Sequence, residues 1–290
     1  MKKILKIAIP LIIVLALFVR FALPAILHKA GLHAAYADAK DYDLKGKKAL
    51  IITTSHDVLN APGETTGNPT GVAASELTVP YYEFLDAGME VDVASIKGGK
   101  IPIDPQTLIF LVKTPEDERF LKDEIFQEKV NQSLKIDPID FTRYDAIFIA
   151  GGWGAAYDLG YSKILGEKIS EAYYAKTPII GSVCHGALGL IQAKDTLDNY
   201  LITGRTMTGV TDKQIKELGI TLTPQHPETE LRKLGVNFNS NTAFRDVFAH
   251  ITVVDEERRF VTGQNQNSGY ETAQKMKQLI LENSGKKILD

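Results

Sequence analysis

Pro178-Ile179-Ile180-Gly181-Ser182-Val183-Cys184-His185-Gly186-Ala187-Leu188-Gly189-Leu190-Ile191 is the stretch on which the reading of this chain turns. Its first half is a short apolar run that reads as a buried strand, and Ala187 to Ile191 reads as the start of a helix. The single cysteine of the chain falls at the junction, among small residues and beside a histidine. A sharp strand-to-helix turn lifts one side chain clear of a sheet and leaves backbone N–H groups free to hold an oxyanion. A helix start and a neighbouring imidazole both favour thiolate over thiol. The competing reading is a structural cysteine in the core, a common place for a free thiol. The Cys-His-Gly context at a strand end favours the nucleophile.

Upstream of this turn, Ile164 to Ala175 reads as a helix, and Ala146 to Ile149 as a strand ending in Gly151-Gly152-Trp153-Gly154. Ala49 to Thr54 reads as a first strand running into Ser55-His56-Asp57 and a Gly/Pro/Asn/Thr-rich loop. Topology then places His56 at the rim of a pocket. Val72 to Ala87 has helical spacing, with Pro80 expected to kink it or open its main body. Glu90 to Ser95 reads as another strand, and residues 103–138 as a charged insertion with a helix near Asp117–Val130. Downstream, the pattern predicts a strand over Leu201–Thr208, short helices over Asp212–Leu218 and Pro227–Leu234, a hairpin of His250–Asp255 with Arg259–Thr262, and a closing helix over Ser268–Glu282. His250 is expected as a core histidine within its strand. Strands alternating with helices predict an α/β fold with a mostly parallel sheet, helices on both faces, and ligands at the carboxyl ends of the strands.

The 290 residues carry 33 Lys and Arg against 36 Asp and Glu, a net charge of −3. That balance offers no concentrated basic face for nucleic acid. One cysteine excludes an internal disulfide and a cysteine-rich metal site. Lys2, Lys3 and Lys6 precede an apolar run of 21 residues, Ile7 to Leu27, broken by Arg20, Pro10 and Pro24. As a helix it would be about 30 Å long, enough to span a bilayer. A retained signal-anchor would leave the domain on the extracytoplasmic side of the cell membrane, by the positive-inside rule. Cleavage after Ala35-Tyr36-Ala37, with export, is the alternative. The expected organisation is a membrane segment over 1–30, a linker over 31–44 and one α/β domain over 45–290.

Several stretches, in order from about Lys45 to Leu281, resemble the ThiJ/PfpI superfamily. They include Thr70-Gly71-Val72, Glu76-Leu77, Pro80-Tyr81-Tyr82, Asp86-Ala87-Gly88, Gly151-Gly152-x-Gly154, Val183-Cys184-His185-Gly186, Thr208-Gly209-Val210 and Val261-Thr262-Gly263-Gln264-Asn265. The resemblance is strongest to its glyoxalase III and protein deglycase branch. It implies a flavodoxin-like α/β sandwich that needs no organic cofactor, with a homodimer as an open option; some relatives bind a metal near the site, but no paired ligands stand at a convincing spacing here, so no metal is expected. It assigns Cys184 as nucleophile, His185 as its partner, and Glu76 as the carboxyl group under the thiol, which a dry site would turn into a proton donor. Gly152 and its neighbours match the oxyanion loop. Trp153 departs from the branch, which has histidine there; an indole moves no proton near neutrality, so Trp153 is left to wall the pocket.

The third triad member should follow Thr208-Gly209. Asp212 is the first candidate and Glu217 the second, as a carboxylate orienting His185. His226-Pro227-Glu228 is similar to the triad motif of glutamine amidotransferases, but it reads better as a helix start with proline at the first position. The expected reaction is attack of Cys184 on a small 2-oxoaldehyde such as methylglyoxal, or on its protein adducts. A cysteine amidohydrolase and a non-catalytic chaperone or oxidation sensor are the alternatives.

Overall fold

Short β-branched and aromatic runs bounded by polar or glycine-rich residues become the strands of a seven-stranded sheet. In chain order these are Lys48–Thr53 (β1), Glu90–Ser95 (β2), Leu134–Lys135 (β3), Ala146–Ile149 (β4), Ile179–Val183 (β5), Thr252–Val254 (β6) and Phe260–Gly263 (β7). Their order across the sheet is β6-β7-β5-β4-β1-β2-β3. Every pairing is parallel except β6 with β7. The computed structural model from which these positions come describes residues 2–220 and 222–284. Met1 of the expected membrane segment and residues 285–290 of the expected domain lie outside them.

Both faces of the sheet are covered, which is why its central strands read as continuous apolar runs. Alternate residues point to opposite sides. Ala49, Ile51 and Phe148 join one core with Leu77, Phe84 and Met276, from helices Ala74–Asp86 and Gly269–Asn283. Leu50, Ile52, Ile147 and Ile149 join a second core with Leu165 and Ile169, from helix Lys163–Ala175. Each such fully buried side chain stabilises the fold by roughly 1.5–3 kcal/mol relative to an exposed one. The chain adds β2 and β3 on one side of β1, then returns to place β4, β5 and β7 on the other. The switch point falls between β1 and β4, so the carboxyl ends of these strands border the crevice where open α/β sheets take ligands.

Four local expectations change. Helix Ala74–Asp86 runs on through Pro80, which neither begins nor ends it. The helix expected over Asp117–Val130 is two helices, Pro115–Phe120 and Glu124–Asn131. Thr114 and Asp123 each accept a backbone N–H at a helix start, and these caps end one helix and open the next. The strand expected over Leu201–Thr208 shrinks to Thr206–Met207, paired with Asn237–Phe238 apart from the main sheet. Turns at Leu201–Gly204 take up the rest of that stretch. His250 lies before strand β6, half-buried, with its carbonyl accepting from Asn241 Nδ2 at 2.7 Å.

The N-terminal run is helical through Lys2–Leu17, a π segment at Phe18–Ala22, and Leu23–Lys29. Residues Ile9–Lys29 have a mean hydropathy of 2.5 and none of that window is buried, so this helix is long and apolar enough to cross a membrane or to serve as a signal sequence. The stretch expected as a linker lies along the domain. Leu32 and Leu44 are buried. The N–H of His33 donates to Asn267 Oδ1 at 2.7 Å, and that of Lys40 to Gln274 Oε1 at 3.1 Å.

Candidate active site

Cys184 follows directly on β5 and adopts φ +56°, the left-handed conformation that costs an L-residue about 1–2 kcal/mol. Strain of this size on a non-glycine residue marks a position whose geometry is held by its surroundings. The segment after it, Cys184–Leu190, is a 3-10 helix and not the expected α-helix. Its tight winding draws the turn onto β4: a side chain at Gly186 would lie 2.1 Å from the carbonyl oxygen of Ile149. Seven residues of 3-10 helix make a weaker dipole than a full α-helix, so the expected helix stabilisation of a thiolate is small. Two individual N–H groups, of His185 and Gly152, bond the sulfur instead. Gly152 has φ +91°, and a Cβ there would meet the Ala73 nitrogen at 2.4 Å, so only glycine brings its N–H this close.

Glu76 stands in the first turn of helix Ala74–Asp86, where a carboxylate is usually solvated. Here it is 1% exposed. Its Oε2 accepts the N–H of Gly151 at 2.9 Å, and its carboxyl group stands close enough to the Cys184 thiol for the two to shift each other's pKa. Burial raises its pKa to about 8, against the opposing pull of those two neighbours. Burial also pushes the Cys184 thiol well above its ordinary range, and the adjacent Glu76 charge pushes it further. The resting pair therefore holds its protons at neutral pH. This corrects the expected thiolate: in a site this dry, two neighbouring acids cannot both be charged, and desolvation outweighs the N–H groups.

His185 is buried, with Nδ1 3.5 Å from Cys184 Sγ. Its Nε2 is closed off and has no partner. Burial first, and then the nearby His226, lower its pKa to about 3, so the imidazole is neutral. Neither carboxylate expected beyond Thr208-Gly209 hydrogen-bonds it. Asp212 accepts from the Thr229 hydroxyl at 2.7 Å and lies 3.7 Å from His226 Nδ1. Its other oxygen, Oδ1, is buried without a hydrogen bond. Glu217 is turned away, taking the N–H of Asp246 at 2.7 Å. His226 does begin helix Pro227–Lys233 with proline at its first position, as its sequence predicts. That helix also carries Glu228, whose Oε2 accepts the Asp212 N–H at 3.0 Å. The packing of two helix starts against each other thus fixes Asp212 on His226 and Thr229.

In front of Cys184 lies a cavity of about 220 Å³. Trp153 walls it, meeting the His185 ring edge-on with centroids 5.0 Å apart. Val112, Val210 and Leu218 give it apolar surface, and Gln214 and Gln266 give it neutral polar groups. Among the described residues no lysine or arginine lines it. His56 is not among its walls. The ring stacks on Tyr157 at 4.2 Å, and Nε2 bonds the carbonyl of Val58 and Asn60 Oδ1, because the loop after β1 folds back on itself. Several walls escaped the sequence reading, among them Leu32 and His33 from the stretch expected as a linker. A histidine in a stretch without helix or strand periodicity carries no signal of where it folds. Among the described residues no three His, Cys, Asp or Glu side chains converge as a metal ion would require.

A sequence profile of the DJ-1/PfpI family matches residues 68–277. Among individual proteins, the chain is 26% identical over 240 residues to the glutathione-independent glyoxalase hsp3101 of Schizosaccharomyces pombe, covering 78% of this chain and 93% of that one. It is 27% identical over 167 residues to the protein/nucleic acid deglycase HchA of Pseudomonas aeruginosa, covering 53% and 54%. The X-ray structure of the Rapid Encystment Protein 24 KDa of Francisella tularensis superposes with a TM-score of 0.73 at 30% identity, over 81% of this chain and 99% of that one.

Proposed function

This chain belongs to the DJ-1/PfpI family, and we propose that within it the chain is a cysteine enzyme converting small, uncharged 2-oxoaldehydes such as methylglyoxal to 2-hydroxy acids. The observation that carries this reading is the Glu76–Cys184 pair at the floor of a small cavity without a cationic wall. Such a cavity favours a neutral carbonyl compound. An amino acid or a dipeptide would bring a carboxylate, and an amidohydrolase would need a cation to bind it. A volume of about 220 Å³ also suits a free aldehyde better than an adduct on a protein side chain.

The sulfur of Cys184 attacks the aldehyde carbon. The Glu76 carboxyl group takes the thiol proton at one oxygen and gives its own proton to the carbonyl oxygen, so the hemithioacetal forms without a free charge. The N–H groups of Gly152 and His185, which already converge on the sulfur, stabilise the oxygen as negative charge develops on it. The aldehydic hydrogen then leaves the first carbon as a proton to Glu76, whose own proton passes to the second carbonyl oxygen; the resulting enediol takes a proton from Glu76 at the second carbon as Glu76 regains one from the hydroxyl on the first. The product is a 2-hydroxyacyl thioester. Water cleaves it, releasing the acid and restoring the thiol. The sum is one 2-oxoaldehyde and one water giving one 2-hydroxy acid. His185 stays neutral and orients the sulfur. The N-terminal helix anchors the protein in the cell membrane with the domain on the extracytoplasmic side.

The test uses the full chain in detergent, with methylglyoxal consumption and lactate formation followed together. Wild type is expected to form one lactate per methylglyoxal, and Cys184→Ala to form none. Consumption that survives Cys184→Ala, or ammonia release from glutamine without action on methylglyoxal, would overturn the proposal.

A further inference from the structure

His33 reaches the cavity from outside the residues that the family profile matches, 68–277. It comes from the stretch just after the apolar helix, and it is held in place from several sides. Its N–H donates to Asn267 Oδ1 at 2.7 Å. Its Nε2 is 3.0 Å from the hydroxyl of Ser75, the neighbour of Glu76. Its backbone takes φ +51°, a conformation that an L-residue keeps only under such constraint. Burial, and then the charge of nearby His28, lower its pKa to about 3, so the ring is a neutral donor and acceptor. Its second nitrogen, Nδ1, is shut away from solvent and has no partner. A buried polar atom left unpaired is destabilising, and a ligand that pairs it recovers that cost.

We propose that His33 is a specificity-determining residue of the active site. With the Ser75 hydroxyl donating to Nε2, the ring proton sits on Nδ1. A small turn of the ring on substrate entry opens Nδ1–H, closed off at rest, and it then binds the second carbonyl oxygen of the 2-oxoaldehyde, on the carbon next to the one Cys184 attacks. The assignment rests on the substrate reading above.

The experiment uses the full chain in detergent micelles, wild type against His33→Ala, His33→Gln and Ser75→Ala. Cys184 is the only cysteine, so thiol labelling reads this site alone. Two electrophiles are compared. Chloroacetone forms an S–C bond with loss of chloride and carries a ketone oxygen beside the reacting carbon. Methyl methanethiosulfonate forms an S–S bond with loss of methanesulfinate and carries no such ketone. His33→Ala is expected to slow chloroacetone about tenfold, the loss of one hydrogen bond to the ligand. Methanethiosulfonate labelling should stay within about twofold by the same reasoning, because it does not use that bond. His33→Gln, whose amide can donate, should recover part of the loss, and Ser75→Ala should show a smaller version of the same split. KM for methylglyoxal should rise with the chloroacetone defect while kcat changes less. Equal slowing of both reagents, or no slowing of either, would overturn the assignment. If the split appears but wild type does not consume methylglyoxal, the substrate reading fails and His33 stands as the ketone donor. If methylglyoxal is consumed and no split appears, the reverse holds.

Discussion

Glu76 and Asp212 occupy matching places and end in different states. Each is an acidic residue in the first turn of a helix, and each is a candidate partner for the Cys184-His185 pair. Glu76 is packed under the sulfur at 1% exposure, and burial makes it an acid that keeps its proton to about pH 8. Asp212 leaves 45% of its side chain exposed and spends its hydrogen bonds on Thr229 and the start of a neighbouring helix. The helix dipole acts on both alike, so it does not explain the difference. Helix Ala74–Asp86 packs against the sheet and helix Gly269–Asn283, while Asp212–Leu218 lies outside the main sheet. One side of the cysteine therefore holds a buried acid with a raised pKa, and the other a partly exposed carboxyl group at a distance.

The largest expected effect breaks the dry side. Glu76→Gln keeps the shape and removes the transferable proton, and should lower kcat/KM about 100-fold, the low end for a general acid. In wild type, activity should fall as pH rises through about 8, because the carboxyl group must be protonated to give up its proton. That falling limb should vanish in Glu76→Gln. A variant that keeps wild-type activity, or the same limb, would mean that another group supplies the proton.

A smaller effect is expected on the open side. Asp212→Asn removes a partly exposed charge that does not bond His185, and such charges are worth about 1 kcal/mol or less, a factor of about five at most. Steady-state kinetics of Asp212→Asn decide the point. A loss approaching that of Glu76→Gln would mean that Asp212 swings onto the free His185 Nε2 when substrate is bound, and the contrast between the two sides would close.

Much of this was readable before any coordinates. The parallel strands, the turn at Cys184 and the glycine loop at Gly152 carry strong local signals: apolar runs, glycine at strand ends, small residues around one cysteine. Three things were not readable. The protonation of the Glu76–Cys184 pair depends on how completely two distant segments exclude water, and no local pattern encodes that. The direction in which Asp212 points is set by helix Pro227–Lys233, whose proline-led start was legible but whose docking partner was not. His56 and His33 exchange roles for a similar reason. His56 sits at the end of a strand, where topology predicts the site, yet its loop folds it onto Tyr157. His33 sits in a stretch of small residues with no periodicity, and long-range bonds to Asn267 and Ser75 bring it into the cavity.

The same burial that raises the Glu76 pKa should cost stability, and this is the smallest effect and the most direct measure of how dry its side is. Unfolded, a glutamic acid releases its proton near pH 4.5; folded, Glu76 holds it to about pH 8. The folded state thus binds more protons across that window, and by linkage its stability is fully present below pH 4.5 and is lost as pH rises to about 8. His185 has the opposite sign: its pKa falls from 6.5 to about 3, so its contribution is lost as pH drops below 6.5. Glu76→Gln removes only the first term. Its melting temperature should match that of wild type near pH 4.5 and exceed it near pH 8 by at least about 2 °C, the shift that roughly 1 kcal/mol produces in a domain of this size. Thermal unfolding of both proteins at the two pH values reads the difference. A gap that does not grow with pH would mean that water reaches Glu76, and that the two carboxyl groups differ less than their burial implies.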